Sequence, residues 1–81
     1  MVVSIEFMGK QRLITKTPSI EMLITEETRV ADVLNYVKHR YPTLPLDESE
    51  TLIAVNQEMA SLDRIVKAND TILFLPFIHG G

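Results

Sequence analysis

The chain has 81 residues and a mass of 9.2 kDa, enough for one domain. Eleven Asp and Glu against eight Lys and Arg give a net charge of -3, which argues against nucleic acid and anionic membranes as partners. With no Cys, disulfides, thiolate metal sites and a Cys nucleophile are all excluded, and the composition fits a reducing, cytoplasmic setting. The longest run without a polar residue is the seven residues Ile72 to Ile78, far short of the roughly 18 of a membrane span. Met1 to Glu6 shows neither a basic n-region nor a small-residue cleavage site, so no secretory signal is expected.

Val2 to Met8 reads as a strand, with Val3, Ile5 and Phe7 on one face and Ser4 and Glu6 on the other. Gly9 to Arg12 reads as a turn or arm, Lys16 to Ser19 as a break, and Ile20 to Thr25 as a second strand. The clearest element is a helix over about Arg29 to Tyr41. Val30, Val33, Leu34, Val37 and Tyr41 form one apolar stripe, Thr28 is the candidate cap, and Lys38, His39 and Arg40 suit the C-terminal end of the dipole. Pro42 stops it. Thr43 to Thr51 is a loop carrying the acidic cluster Asp47, Glu48 and Glu50. Leu52 to Val55 is a strand, Asn56-Gln57 a turn, Glu58 to Ser61 a returning strand, Leu62 to Val66 a short turn, and Asn69-Asp70 a tight turn. Thr71 to Leu75 is the last strand, ended by Pro76. The order β-β-α-β-β-β predicts an α+β fold with one helix on one face of a mixed sheet.

Catalytic constellations are missing. Gly9 is the only glycine before the last two residues, so there is no phosphate-cradling loop, and His39 and His79 stand too far apart in sequence to form a local metal motif. His39 reads as a solvated last-turn residue and the acidic cluster as a solvated loop. Met8, Met22 and Met59 read as fillers of core or interface gaps.

The C-terminus is different. Leu75-Pro76-Phe77-Ile78-His79-Gly80-Gly81 follows directly from a strand. Six residues beyond Leu75 can reach about 20 Å at roughly 3.3 Å per residue, so residues 76–81 are expected to form an extended tail on a 1–75 domain. The tail can carry the terminal carboxylate into a narrow pocket of another protein. Gly80 and Gly81 lack Cβ atoms and suit a tight channel. A carboxylate is a poor electrophile, so any chemistry at Gly81 needs activation from outside, and any sulfur placed there must come from a partner.

Leu52-Ile53-Ala54-Val55-Asn56-Gln57, Asn69-Asp70, and Leu73-Phe74-Leu75-Pro76 followed by Gly80-Gly81 resemble the small subunit of molybdopterin synthase. That subunit is one of the MoaD/ThiS ubiquitin-like β-grasp sulfur carriers, and the helix start Thr28 to Leu34 also fits. The resemblance implies a β-grasp sheet of about five strands. It implies that an E1-like adenylating enzyme uses ATP and Mg2+ to activate Gly81, that a sulfur donor protein converts it to a thiocarboxylate, and that the large catalytic subunit of molybdopterin synthase takes the sulfur for the pterin dithiolene. No cofactor would be held permanently by this chain, which would serve as a non-catalytic subunit. Phe77 and His79 depart from the family tail, which often has a second Pro and a small residue there, and Asn69 stands where many relatives have Gly.

On the last strand Ile72 and Phe74 face one way and Leu73 and Leu75 the other, while a single helix covers only one face. The expected result is an exposed apolar patch at a partner site, with Phe74, Leu75, Pro76, Phe77, Ile78 and His79 contributing. The alternative is coverage by the 43–51 loop. Two further functions stay open: a ubiquitin-like modifier joined to lysines through Gly81, and a passive β-grasp interaction module. Within the carrier class, thiamin thiazole or another sulfur-containing metabolite is an alternative product.

Overall fold

The computed structural model describes residues 1–47 and 51–76. Five strands make one mixed sheet: β1 (Val2–Glu6), β2 (Ser19–Leu23), β3 (Thr51–Val55), β4 (Glu58–Met59) and β5 (Thr71–Pro76). Their order is β2-β1-β5-β3-β4, with β1 and β5 parallel at the centre and every other pair antiparallel. The main helix, α2, spans Val30–Arg40, and a short helix, α1, spans Gln11–Thr15. This is the α+β β-grasp arrangement expected from the sequence.

Alternation decides the core. Val3, Ile5, Phe7, Ile53, Val55, Ile72 and Phe74 point to the covered face and are almost completely buried. Val30, Val33, Leu34 and Val37 of α2 are fully buried against them, each worth about 1.5–3 kcal/mol of apolar transfer. Phe7 meets Tyr41 edge to face at 5.6 Å.

The helix starts differently from expectation. Thr28 does not cap it: its Oγ1 accepts from the Thr25 N–H at 2.9 Å, and Arg29 is the N-cap residue. A distant segment satisfies the first turn instead. Val30 N–H donates to the Arg64 carbonyl and Ala31 N–H to that of Leu62, at 2.9 and 3.0 Å, while the Asp32 carboxylate accepts from Arg29 N–H at 2.9 Å. The orphan donors of a helix N-terminus are thereby paired without a hydroxyl cap.

Other boundaries shift too: β2 runs Ser19–Leu23 rather than Ile20 to Thr25, and β3 starts at Thr51 rather than Leu52. β1 ends at Glu6 rather than Met8. Gly9 and Lys10 turn into α1, a short helix where the sequence predicts a turn or arm. β4 stops at Met59, and Pro76 is the last residue of β5 rather than the first of a tail. The β3–β4 turn has positive φ at both central residues, 52° at Asn56 and 71° at Gln57, the backbone that matches strand twist in a two-residue hairpin. Asn69 also has positive φ, 69°, so Asn serves there in place of Gly. Of the loop after α2, the described residues Leu44 and Leu46 join the core cluster. Leu44 and Leu46 are 5% and 6% exposed and close the core from one end.

Candidate functional site at the end of the central strand

The open face of the sheet is apolar over β5, β3 and β4. Leu73 and Leu75 are half-buried, and Leu52 and Met59 are 43% and 57% exposed. Register aligns them: Leu75 pairs with Leu52, Leu73 with Ala54, and Ala54 with Met59. Toward β1 and β2 the same face carries Ser4, Glu6 and Glu21, with Val2 and the 80% exposed Leu23 at its far end. The continuous apolar stretch over β5, β3 and β4 can shed water against another protein.

Phe74 corrects the expected contact set. It is 0% exposed because even-numbered β5 residues face α2, so its ring belongs to the core and offers no surface to a partner. Leu75 keeps its place on the open side. Pro76 pairs with Thr51 at the end of the sheet. Phe77, Ile78, His79, Gly80 and Gly81 lie outside the described residues, as do Glu48 and Glu50 of the acidic cluster.

Pro76 fits inside a strand for a specific reason. Alternate β5 residues direct their backbone groups toward β1. The Asp70 carbonyl accepts from Ser4 N–H at 2.9 Å, and the Phe74 carbonyl accepts from Gln11 Nε2 at 2.8 Å. Pro76 follows in the same series, so its missing N–H is one that would have faced the side where β1 has already ended.

Beside this end of β5, Met8, Lys10, Gln11, Ile14, Leu44, Leu46, Thr51 and Leu75 frame a depression of about 550 Å³. Met8 is 46% exposed, so this methionine lies at the surface, whereas Met22 packs partly against the core. At the other end of β5, a clamp sets the strand. The Asp70 carboxylate accepts from Asn56 Nδ2 and Lys67 N–H, both at 2.8 Å, and Asn56 Oδ1 accepts from Thr71 N–H at 2.9 Å. Gln11, Leu44, Leu46 and this clamp escaped the sequence reading. Only the pairing of Asn56-Gln57 and Asn69-Asp70 as turns hinted at the last.

Elsewhere the chemistry is sparse. His39 is exposed on the last turn of α2, where its Nδ1 lies 2.8 Å from the Asn35 carbonyl of the same helix. Among the described residues, no group of three or more His, Asp or Glu could hold a metal ion, and no helix is long and apolar enough to cross a membrane.

Known proteins resemble the chain over nearly its whole length. Residues 5–81 match the model of the ThiS family. A molybdopterin synthase sulfur carrier subunit of Dictyostelium discoideum is 31% identical over 78 residues, covering 94% of this chain and 84% of the relative. A putative molybdopterin converting factor subunit 1 from Pyrococcus furiosus superposes with TM-score 0.82 at 24% identity, over 95% of this chain and 98% of its own. The small archaeal modifier protein 1 of Methanosarcina acetivorans gives TM-score 0.77 at 26% identity, over 99% and 96%. With this fold, and with a family match over residues 5–81, the chain belongs to the ThiS family and has its β-grasp architecture.

Proposed function

We propose that the chain is the sulfur-carrier subunit of a molybdopterin synthase. The observation that carries this reading is the family match over residues 5–81, Gly80 and Gly81 included, on a chain whose central strand leads straight toward them. β5 is the central strand, its last residue Pro76 is pinned opposite Thr51, and the remaining five residues end in Gly80-Gly81. Such a segment can reach at most about 17 Å from the sheet, enough to enter a partner's site while the globule docks outside. The identity with the Dictyostelium subunit supports the choice of pathway.

In this reading Gly81 is the reacting residue. Its carboxylate oxygen attacks the α-phosphorus of ATP on an E1-like adenylating enzyme, and pyrophosphate leaves with Mg2+ held by that enzyme. Sulfur at the hydrosulfide oxidation level, supplied by a donor protein, then attacks the acyl carbon and expels AMP. The thiocarboxylate sulfur then displaces a leaving group from a carbon of the pterin precursor on the large subunit, and water attacks the acyl carbon of the resulting thioester, so that the acyl C–S bond breaks, the sulfur stays on the pterin and Gly81 returns to a carboxylate. Gly80 gives clearance beside the reacting end. Leu73 and Leu75, with Leu52 and Met59, provide the docking face, and Phe77, Ile78 and His79 extend the contact along the tail.

The test is to incubate the full chain with an E1-like adenylating enzyme, ATP, Mg2+ and a sulfide source. Intact-mass spectrometry should show OH exchanged for SH at Gly81, and a large subunit should consume the product. Deleting Gly81 should abolish both. The similarity to the small archaeal modifier protein 1 favours a second reading, conjugation to lysines through Gly81. Lysine adducts of this chain in protein from its native cell, without thiocarboxylate, would select it.

A further inference from the structure

β1 is too short for β5. Its last paired residue, Glu6, lies opposite Leu73, and β5 runs on to Pro76. On the β3 side these last residues remain in register, Leu75 with Leu52 and Pro76 with Thr51. On the β1 side the chain has turned away through Phe7 and Met8 into α1. A strand end held along one edge alone can pivot about that edge.

Gln11 fills the gap. Its Oε1 accepts from Met8 N–H at 2.9 Å and its Nε2 donates to the Phe74 carbonyl at 2.8 Å, 63 positions away. A carboxamide has the donor and acceptor of a peptide group, so this side chain continues the β1 ladder by one step without any β1 backbone. Its own base is fixed, because Gln11 N–H donates to the Met8 carbonyl at 3.0 Å in the turn that opens α1.

We propose that Gln11 is the positioning residue of the C-terminal tail: it replaces the missing β1 partner at Phe74 and fixes the direction in which the chain leaves the sheet. This rests on the tail being handed to an adenylating partner, as proposed above. With Gln11 on one side and β3 on the other, β5 is held at both edges as far as Phe74. Without Gln11 the partner must order the strand end as it takes in the tail, an entropic cost of binding. Once the carboxylate is seated, the partner holds it, so the loss falls on KM for the carrier and not on kcat.

The discriminating variant is Gln11→Glu. A carboxylate still accepts from Met8 N–H but cannot donate to the Phe74 carbonyl. Backbone 15N order at Leu75 should fall while that at Ile53 and Val55 holds. In pyrophosphate exchange on an E1-like enzyme, KM for the carrier should rise about fivefold, the order of one lost hydrogen bond, with kcat unchanged. Val66→Ala, a core change remote from α1, is the control: below its melting temperature it should leave KM at the wild-type value. Wild-type KM in Gln11→Glu, or an equal rise in Val66→Ala, overturns the positioning role. A wild-type chain that the adenylating enzyme refuses sinks the functional reading instead. The order at Leu75 then still decides whether Gln11 holds β5, and wild-type order there overturns the inference by itself.

Discussion

The two faces of the sheet are made from the same strands, and adjacent residues serve opposite ends. Ile72 and Phe74 are fully buried under α2, while Leu73 and Leu75, one step along, remain half-buried on the open side. The apolar character of Leu73 and Leu75 goes beyond what the face under α2 requires. In a strand whose other face already supplies the core, polar residues would cost nothing, as Ser4 and Glu6 show on β1. The covered face holds the domain together, and the apolar half of the open face is suited to a second protein.

Substitutions can break or sharpen that contrast. Phe74→Ala should cost about 3–5 kcal/mol in urea unfolding, because it leaves a cavity under α2. A cost near 1 kcal/mol would mean that the two faces are not distinct. Asp70→Ala should come next, at about 1–3 kcal/mol, since Asn56 Nδ2 and Lys67 N–H both lose their acceptor at the turn that feeds β5. Asp32→Ala removes the acceptor for Arg29 N–H at the exposed start of α2 and should lower stability by about 0.5–1 kcal/mol. Leu52→Ser, on the open face, should move stability by less than about 0.5 kcal/mol. If the proposed function holds, the same variant should weaken binding to a molybdopterin synthase large subunit severalfold in calorimetry. Unchanged affinity would remove Leu52 from the docking face.

Much of this architecture was legible in the residues. The period-two alternation of Val3, Ile5 and Phe7 and the helical stripe of Val30, Val33, Leu34 and Val37 report burial directly, because each depends on a local repeat. Asn56 and Asn69 announced turns for an equally local reason, their tolerance of positive φ. The two acidic loop residues and the tail that carry the remaining expectations fall outside the described part of the chain, so Gly81 stands on sequence, family match and proposal together.

Sequence alone thus determined the α+β order, the helix, the buried stripe and the unusual Gly-Gly end, since all four are written in neighbouring residues. Tertiary structure decided the rest. The start of α2 is paired by Leu62 and Arg64, Leu44 and Leu46 turn inward, Phe74 belongs to the core, and Gln11 reaches Phe74 across 63 positions. Hydrogen-bond partners and burial at such separations arise only when the sheet closes, and no local pattern encodes which distant carbonyl a side chain will meet.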